Sequence, residues 1–139
     1  MEFRPEYYLV MESLASGVKT VEEVAGHTGL APHDVEAVVS ALLGHGLVER
    51  REKGLIFKKE AYVLSERGWE VLSQWREEVR RRIDQAAQLR GEERAAALGP
   101  IEAILPALLA MGVIDMATWS LLSRKELDVD FEDVLVDEF

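Results

Sequence analysis

The stretch Thr20–Gly68, TVEEVAGHTGLAPHDVEAVVSALLGHGLVERREKGLIFKKEAYVLSERG, decides the fold of this 139-residue chain. It opens with Thr20 and, three residues later, Glu23. This pair is a capping box, in which each side chain accepts a hydrogen bond from the other residue's backbone N–H. A short helix is therefore predicted over Val21–His27, ending at Gly29, because glycine permits the left-handed conformation that closes a helix.

A second helix in the stretch is predicted to begin at Pro32, since proline suits the first helical position. Val35, Val39 and Leu42 then fall on one apolar stripe, at a spacing that is typical of a helix with one buried face. Gly44 marks its end. An earlier helix is predicted to begin at Pro5 by the same reasoning, so three short helices precede the rest of the chain.

Two further patterns complete the stretch. Gly46-Leu47-Val48 is typical of the segment that opens a strand after the third helix of winged-helix regulators. The return strand of those proteins reads aromatic-x-Leu-Ser/Thr-x-x-Gly, which is matched by Tyr62, Leu64, Ser65 and Gly68. In this order the patterns resemble the winged helix-turn-helix DNA-binding domain of archaeal and bacterial transcription regulators, over about residues 6–75. The resemblance implies a mainly α fold with a small β-wing, followed by C-terminal helices.

The resemblance also implies a hairpin. Strand Leu47–Arg51 would pair with Ala61–Leu64, and residues 52–60 would form the wing. A tight turn at Lys53-Gly54 is the alternative, and it would make residues 55–64 one long strand. The residue pattern allows both arrangements.

Charge is distributed unevenly along the chain, whose net charge is −10. Residues 49–82 carry ten basic and seven acidic side chains, whereas the first 48 residues carry two and seven. Residues 125–139 carry one lysine and seven acids. Because DNA attracts a basic face, only the middle of the chain is expected to provide one.

The candidate DNA-binding residues lie in and beside the wing: Arg50, Arg51, Lys53, Phe57, Lys58 and Lys59. The lysines could bind phosphates while Phe57 stacks on a base or enters a groove. Alternatively, Ile56 and Phe57 pack beneath the wing and the lysines are only solvated. The sequence leaves both interpretations open.

The third helix is a weaker candidate for DNA contact, because it contains neither Lys nor Arg. Asp34 and Glu36 would repel phosphates, although acids in a first turn favour the helix dipole. Only His33 and Ser40 are therefore predicted as DNA-binding residues on this helix. We expect the wing to make most of the contacts with DNA.

Three regions are predicted: a winged-helix domain (1–68), a long helix with a helical region that mediates dimerisation (69–124), and an acidic tail (125–139). The long helix would begin after Ser65 as its N-cap. The spacing of the three tryptophans predicts that they belong to the core: Trp69, Trp75 and Trp119. The tail could bind a protein partner, compete with nucleic acid for the basic surface, or simply keep the chain soluble.

The composition also excludes several classes of function. With no cysteine, disulfides and thiolate metal sites are excluded, and the three histidines lack metal-ligand spacing. No phosphate loop, nucleophile elbow or supported carboxylate pair is present, so we expect neither an enzyme nor a cofactor. The apolar run over residues 101–122 contains charged residues and proline, which favours buried helices over a membrane span. Absent asparagine and abundant Glu and Arg favour a thermophilic source.

These observations favour a cytoplasmic, DNA-binding transcription regulator that acts as a homodimer. The expected partner is DNA, duplex more than single-stranded, and a protein partner could bind the acidic tail. Two alternatives remain open. One is a winged-helix module for protein–protein contact that uses the tail, and the other is a single-stranded-DNA binder with such a tail.

Overall fold

Three helices, a three-stranded sheet and the first part of a fourth helix form the first of the two units into which the chain divides, Met1–Glu78. The structure, a computed structural model, describes residues 1–123, so the acidic tail predicted for residues 125–139 lies outside the described residues. The first three helices are α1 (Pro5–Ala15), α2 (Val21–Thr28) and α3 (Pro32–Gly44).

The predicted helix boundaries are confirmed where local chemistry sets them. The Thr20 N–H donates to Glu23 Oε1 at 2.9 Å, and the Glu23 N–H donates to Thr20 Oγ1 at 3.2 Å, which completes the capping box of α2. Gly29 ends α2 in the left-handed conformation, with φ 82°. Pro5 and Pro32 occupy the starts of α1 and α3.

The core of this unit is built from the apolar faces of its helices and strands. The stripe predicted on α3 is confirmed, because Val35, Val39 and Leu42 are buried together with Val38. Helix α1 contributes a larger buried set: Tyr8, Leu9, Val10, Met11 and Leu14. Burial of these side chains on both helices supplies most of the favourable free energy that fixes α3 in place.

The sheet contains β1 (Lys19–Thr20), β2 (Val48–Lys53) and β3 (Lys59–Leu64), in the antiparallel order β1-β3-β2. Val48 pairs with Leu64 at one end of the hairpin, and Lys53 pairs with Lys59 at the other. The alternative of one long strand over residues 55–64 is therefore wrong. The two hairpin strands extend two residues further towards the turn than the resemblance implied, and β1 was not predicted at all.

The turn of the hairpin, residues 54–58, is closed by Gly54. Its φ is 120°, and a Cβ at this position would lie 2.3 Å from the Phe57 carbonyl oxygen. Any residue with a side chain would therefore both strain the backbone and clash with it. Glycine is therefore needed directly after β2, which ends at Lys53.

A junction at Ser65 joins the hairpin to helix α4 (Glu66–Ala86). The Ser65 N–H donates to the Leu47 carbonyl at 3.0 Å, and its hydroxyl donates to the Gly46 carbonyl at 2.6 Å. The same hydroxyl accepts the Gly68 N–H at 3.0 Å, so Ser65 caps α4 as predicted. Gly68 is required here, because its Cβ would lie 2.0 Å from the Leu47 carbonyl oxygen.

The first part of α4 is anchored to residues near the N-terminus. The Trp75 ring is buried and meets the Phe3 ring edge-on, with 5.3 Å between the ring centroids. Arg76 donates to both carboxylate oxygens of buried Glu12, from Nε at 2.9 Å and from Nη2 at 2.8 Å. The prediction that Trp69 belongs to the core is wrong. It lies in the first turn of α4, before the buried part of the stripe, and is 42% exposed.

The second unit begins at Val79, within α4. Its remaining described elements are α5 (Gly91–Leu98), a 3₁₀ helix (Gly99–Ile104), α6 (Leu105–Ala110) and α7 (Met116–Ser123). Ile101, Leu108 and Leu122 are buried here, in agreement with the predicted buried segments. The segments are shorter than expected, because Pro106 sits at the start of α6 and cannot continue a preceding helix. Within residues 1–123, no helix has the length and apolarity to cross a membrane.

Two glycine-to-alanine substitutions are expected to change the stability in opposite directions. Gly68→Ala should lower the free energy of unfolding by about 2–3 kcal/mol or more, because the new methyl group meets the Leu47 carbonyl. Gly26→Ala, in α2, meets no atom within 4 Å and should raise it by about 0.5–1 kcal/mol through helix propensity. Urea denaturation of both variants measures the difference. Equal changes in the free energy of unfolding would contradict the close approach of Gly68 to the Leu47 carbonyl.

Candidate nucleic-acid interface

The outer face of α3 is exposed and acidic. His33, Asp34, Glu36 and Ser40 all lie on this solvent-facing side. His33 Nε2 lies 3.4 Å from Asp34 Oδ1, so the only side chain of this face that can become cationic is next to a carboxylate. The two residues predicted to touch DNA from this helix, His33 and Ser40, are thus accessible but share the face with two acids.

A cleft of about 470 Å³ separates this face from the strands of the wing. Glu36 and Ser40 line it from α3, and Lys59 and Glu60 line it from β3. Its remaining lining residues are Val21, Glu22 and Tyr62. Partial burial raises the pKa of the Tyr62 phenol, and the neighbouring Glu60 carboxylate raises that pKa further. Three glutamates against one lysine make the cleft unfavourable for a phosphate.

Within the described residues, the histidines belong to no metal-binding cluster. His27 Nδ1 is hydrogen-bonded to Ser13 Oγ at 2.9 Å, which ties α2 to α1. Across residues 1–123, no group of three or more His, Asp or Glu side chains is close enough together to hold a metal ion.

Most of the predicted basic residues of the wing form ion pairs with acids of the same hairpin. Arg50 Nε lies 2.8 Å from Glu60 Oε1 across the two strands. The other two pairs are Arg51 with Glu49 at 3.0 Å and Lys58 with Glu52 at 3.7 Å. All six side chains are at least half exposed, so these pairs are weak and can exchange partners.

Lys53 differs from the other basic residues because it points away from the wing tip. Its Nζ donates to both carboxylate oxygens of Glu23, at 2.9 and 3.0 Å, and to the Val18 carbonyl at 2.9 Å. It thereby links β2 to the capping box of α2. Lys53 also contributes to lowering the pKa of nearby Lys19, after the larger effect of that lysine's partial burial. Of the predicted basic residues, Lys53 is the one with a structural role.

Lys59 has no ion-pair partner among residues 1–123. Besides the acidic cleft, it lines a second, more basic cleft together with Arg50, Arg51 and Lys58. It faces Lys53 in the strand register, but Lys53 is held by Glu23. Lys58 is adjacent and makes only a long contact to Glu52. Lys58 and Lys59 are therefore the cations of the wing that a phosphate could most easily recruit.

The tip of the wing presents three consecutive apolar side chains to solvent. Leu55 is 100% exposed, Ile56 85% and Phe57 84%. The interpretation in which Ile56 and Phe57 pack beneath the wing is wrong, because both side chains are almost fully exposed. We refer to Leu55–Phe57 as the apolar tip.

The described elements of residues 1–78 follow the order α1, β1, α2, α3, β2, β3, with an antiparallel hairpin after the third helix. The first unit is a winged helix-turn-helix. Comparison with protein-family models and with curated proteins finds no match. Among solved structures, the chain is similar to the crystal structure of Bacillus subtilis PadR in complex with operator DNA, with 18% sequence identity and a TM-score of 0.46. The match covers 52% of this chain and 46% of that one, so the chain spans less than half of the length of the PadR chain.

The structural role of Lys53 is testable through its effect on stability. The pKa of Glu23 is lowered from its ordinary value of 4.5, first by the Thr20 backbone N–H and then by Lys53. A lowered pKa in the folded state stabilises the fold above that ordinary value, and the stabilisation is lost as the pH falls through the folded-state pKa. Lys53→Met should therefore be less stable than the wild type at pH 7, by less than about 1 kcal/mol for this half-exposed pair.

Thermal denaturation at pH 7 and at several values below 4.5 measures this difference, which should shrink as the pH falls. Lys58→Met is the matched control, because it removes a wing lysine whose only ion pair is long and exposed. A difference between Lys53→Met and the wild type that is the same at every pH would contradict the assigned pair.

Proposed function

We propose that this protein is a winged-helix transcription regulator that binds duplex DNA mainly through its wing. The observation that carries this proposal is the exposed pair Lys58 and Lys59 beside the apolar tip. Cations that lack strong partners within the protein bind phosphates most favourably, because few interactions within the protein have to be broken first.

The other predicted basic residues contribute less to DNA binding, and to different degrees. Arg50 and Arg51 are paired with acids of the hairpin, but these pairs are exposed and worth little, so a phosphate can compete for each guanidinium. Lys53 is held by three hydrogen bonds and contributes only indirectly, by fixing the wing. Phe57 stacks on a base or enters a groove and does not contact the phosphates.

Helix α3 supplies little direct base recognition in this proposal. Side chains that read base edges in the major groove are usually Arg, Lys, Asn or Gln, and this helix has none. Asp34 and Glu36 repel phosphates on either side of the groove. His33 and Ser40 are the remaining candidates on this helix, and they make at most secondary contacts.

We further propose that the protein acts as a homodimer through the region 69–124. This is supported by exposed apolar side chains in the second unit, namely Val113, Met116 and Leu121. Apolar side chains on a surface are commonly covered by a second copy in symmetric dimers. A dimer would bind two half-sites, which doubles the number of phosphate contacts.

A second candidate function is protein–protein contact through the winged helix. It is favoured by one specific observation, the exposed acids of α3 and of the adjoining cleft, which suit a basic protein surface better than DNA. The acidic tail is the further candidate for such a contact.

The distinguishing experiment is a fluorescence-anisotropy titration of the full chain with duplex and single-stranded DNA over a series of salt concentrations. The wild type should bind duplex more tightly than single strand, with an affinity that falls steeply with salt. Lys59→Ala should weaken binding to every duplex and reduce the slope of log K against log salt by about one per protomer.

Arg67→Ala is the matched control, because it also removes one exposed positive charge. Arg67 lies beyond the opposite end of β3 from the wing tip, roughly 17 Å along a strand of this length. It should change neither the affinity nor the slope. If the wild type binds no duplex at low salt, the DNA-binding proposal is wrong and the protein-contact function takes its place.

A further inference from the structure

The apolar tip has no role in the stability of the fold. Its three side chains are almost fully exposed, and they form the largest continuous run of exposed apolar residues in the described part of the chain. Only glycine fits at the start of this turn, because a Cβ at Gly54 would lie 2.3 Å from the Phe57 carbonyl oxygen. A short turn with three outward apolar side chains is suited to insertion into a partner.

The cations beside the apolar tip narrow the choice of partner. Lys58 and Lys59 follow it directly, so the inserted side chains and two positive charges would reach the same target. Base pairs flanked by phosphates have this combination of an apolar stack and nearby negative charge. Several DNA-binding proteins insert Phe, Leu or Ile between base pairs from the minor groove and kink the duplex.

A membrane surface fits less well. Electrostatic attachment to anionic lipids generally uses clusters of four to eight basic residues. The wing has five, but Arg50 and Arg51 are paired with acids of the hairpin and Lys53 is held by Glu23. The acids of the same hairpin, Glu49, Glu52 and Glu60, further weaken attraction to an extended anionic surface. Binding in a DNA groove needs fewer basic residues, because the contact is confined to the tip.

We propose that the apolar tip is a wedge that enters the minor groove of duplex DNA and partly unstacks one base step, with Lys58 and Lys59 on the adjacent phosphates. This inference rests on the proposed DNA-binding function. It also assigns the source of sequence preference, since α3 carries no base-reading side chain except His33 and Ser40. Sites would be selected by how easily a step deforms, which favours the flexible pyrimidine–purine steps over stiff A-tracts.

The test uses duplexes of equal length and base composition, with either a central TA step or an A-tract, and with 2-aminopurine beside the central step. Unstacking is followed by 2-aminopurine fluorescence, and bending by energy transfer between dyes at the two ends. The wild type should increase the fluorescence, bend the duplex, and bind the TA duplex more tightly than the A-tract duplex.

The triple variant Leu55→Ser/Ile56→Ser/Phe57→Ser should bind about ten-fold more weakly and lose both optical signals, while it keeps the wild-type salt slope because both lysines remain. Folding is not at risk, since the three side chains pack against nothing that stabilises the core. Arg67→Ala is again the control, because it removes an exposed side chain beyond the opposite end of β3 from the apolar tip, and it should keep both signals.

Three results would overturn the wedge. Salt-dependent duplex binding without unstacking by the wild type would refute the wedge alone and leave the DNA-binding function intact. Unchanged signals in the triple variant would do the same. If the wild type binds no duplex, both proposals fail, and binding to vesicles that contain anionic phospholipid, lost in the triple variant, would reassign the apolar tip to a membrane.

Discussion

The hydrogen bonds of Ser65 hold the wing in place. One residue bonds to two successive carbonyls at the start of β2, those of Gly46 and Leu47, and also caps α4. The hairpin, the end of α3 and the start of α4 are therefore fixed against one another at a single point. Gly68 makes the approach possible, because any side chain there would push α4 away from β2. Everything proposed for the wing depends on this fixed base.

The far end of the hairpin is fixed by a different kind of interaction. Lys53 bonds to Glu23, which already caps α2, so one carboxylate serves both the helix and the wing. Lys53, which the sequence predicts as a DNA-binding residue, is thereby engaged by a partner within the protein. Lys58 and Lys59, on the other side of the turn, are left at the surface. Within the wing, the basic residues without a strong partner thus form a small cationic edge beside the apolar tip.

Much of this fold could be predicted from the sequence, because its boundaries depend on nearby residues. The capping box of Thr20 and Glu23 and the prolines at the starts of α1 and α3 act within one helical turn. Strand β1 could not be predicted, since two residues carry no periodic pattern and their pairing with Tyr62 and Ala61 is decided by the tertiary fold. The partner of Lys53, Glu23, lies thirty residues away along the chain and could not be predicted either.

The candidate site was harder to predict for the same reason. An apolar run such as Leu55–Phe57 is ordinarily buried, and its exposure here depends on the folded hairpin turn, which the residue types alone do not reveal. Phe57, Lys58 and Lys59 were identified from residue type. Their separation from Lys53, however, required the three-dimensional arrangement. Charge counts along a sequence do not reveal which cations are already paired.

DNA contact through the wing, and not through helix α3, is the central proposal for this protein. Its most direct test is amide chemical-shift mapping of the full chain by NMR as duplex DNA is added at low salt. The largest shifts are expected at residues 54–59, with small shifts at residues 33–40. Large shifts along residues 33–40, with an unperturbed wing, would contradict it.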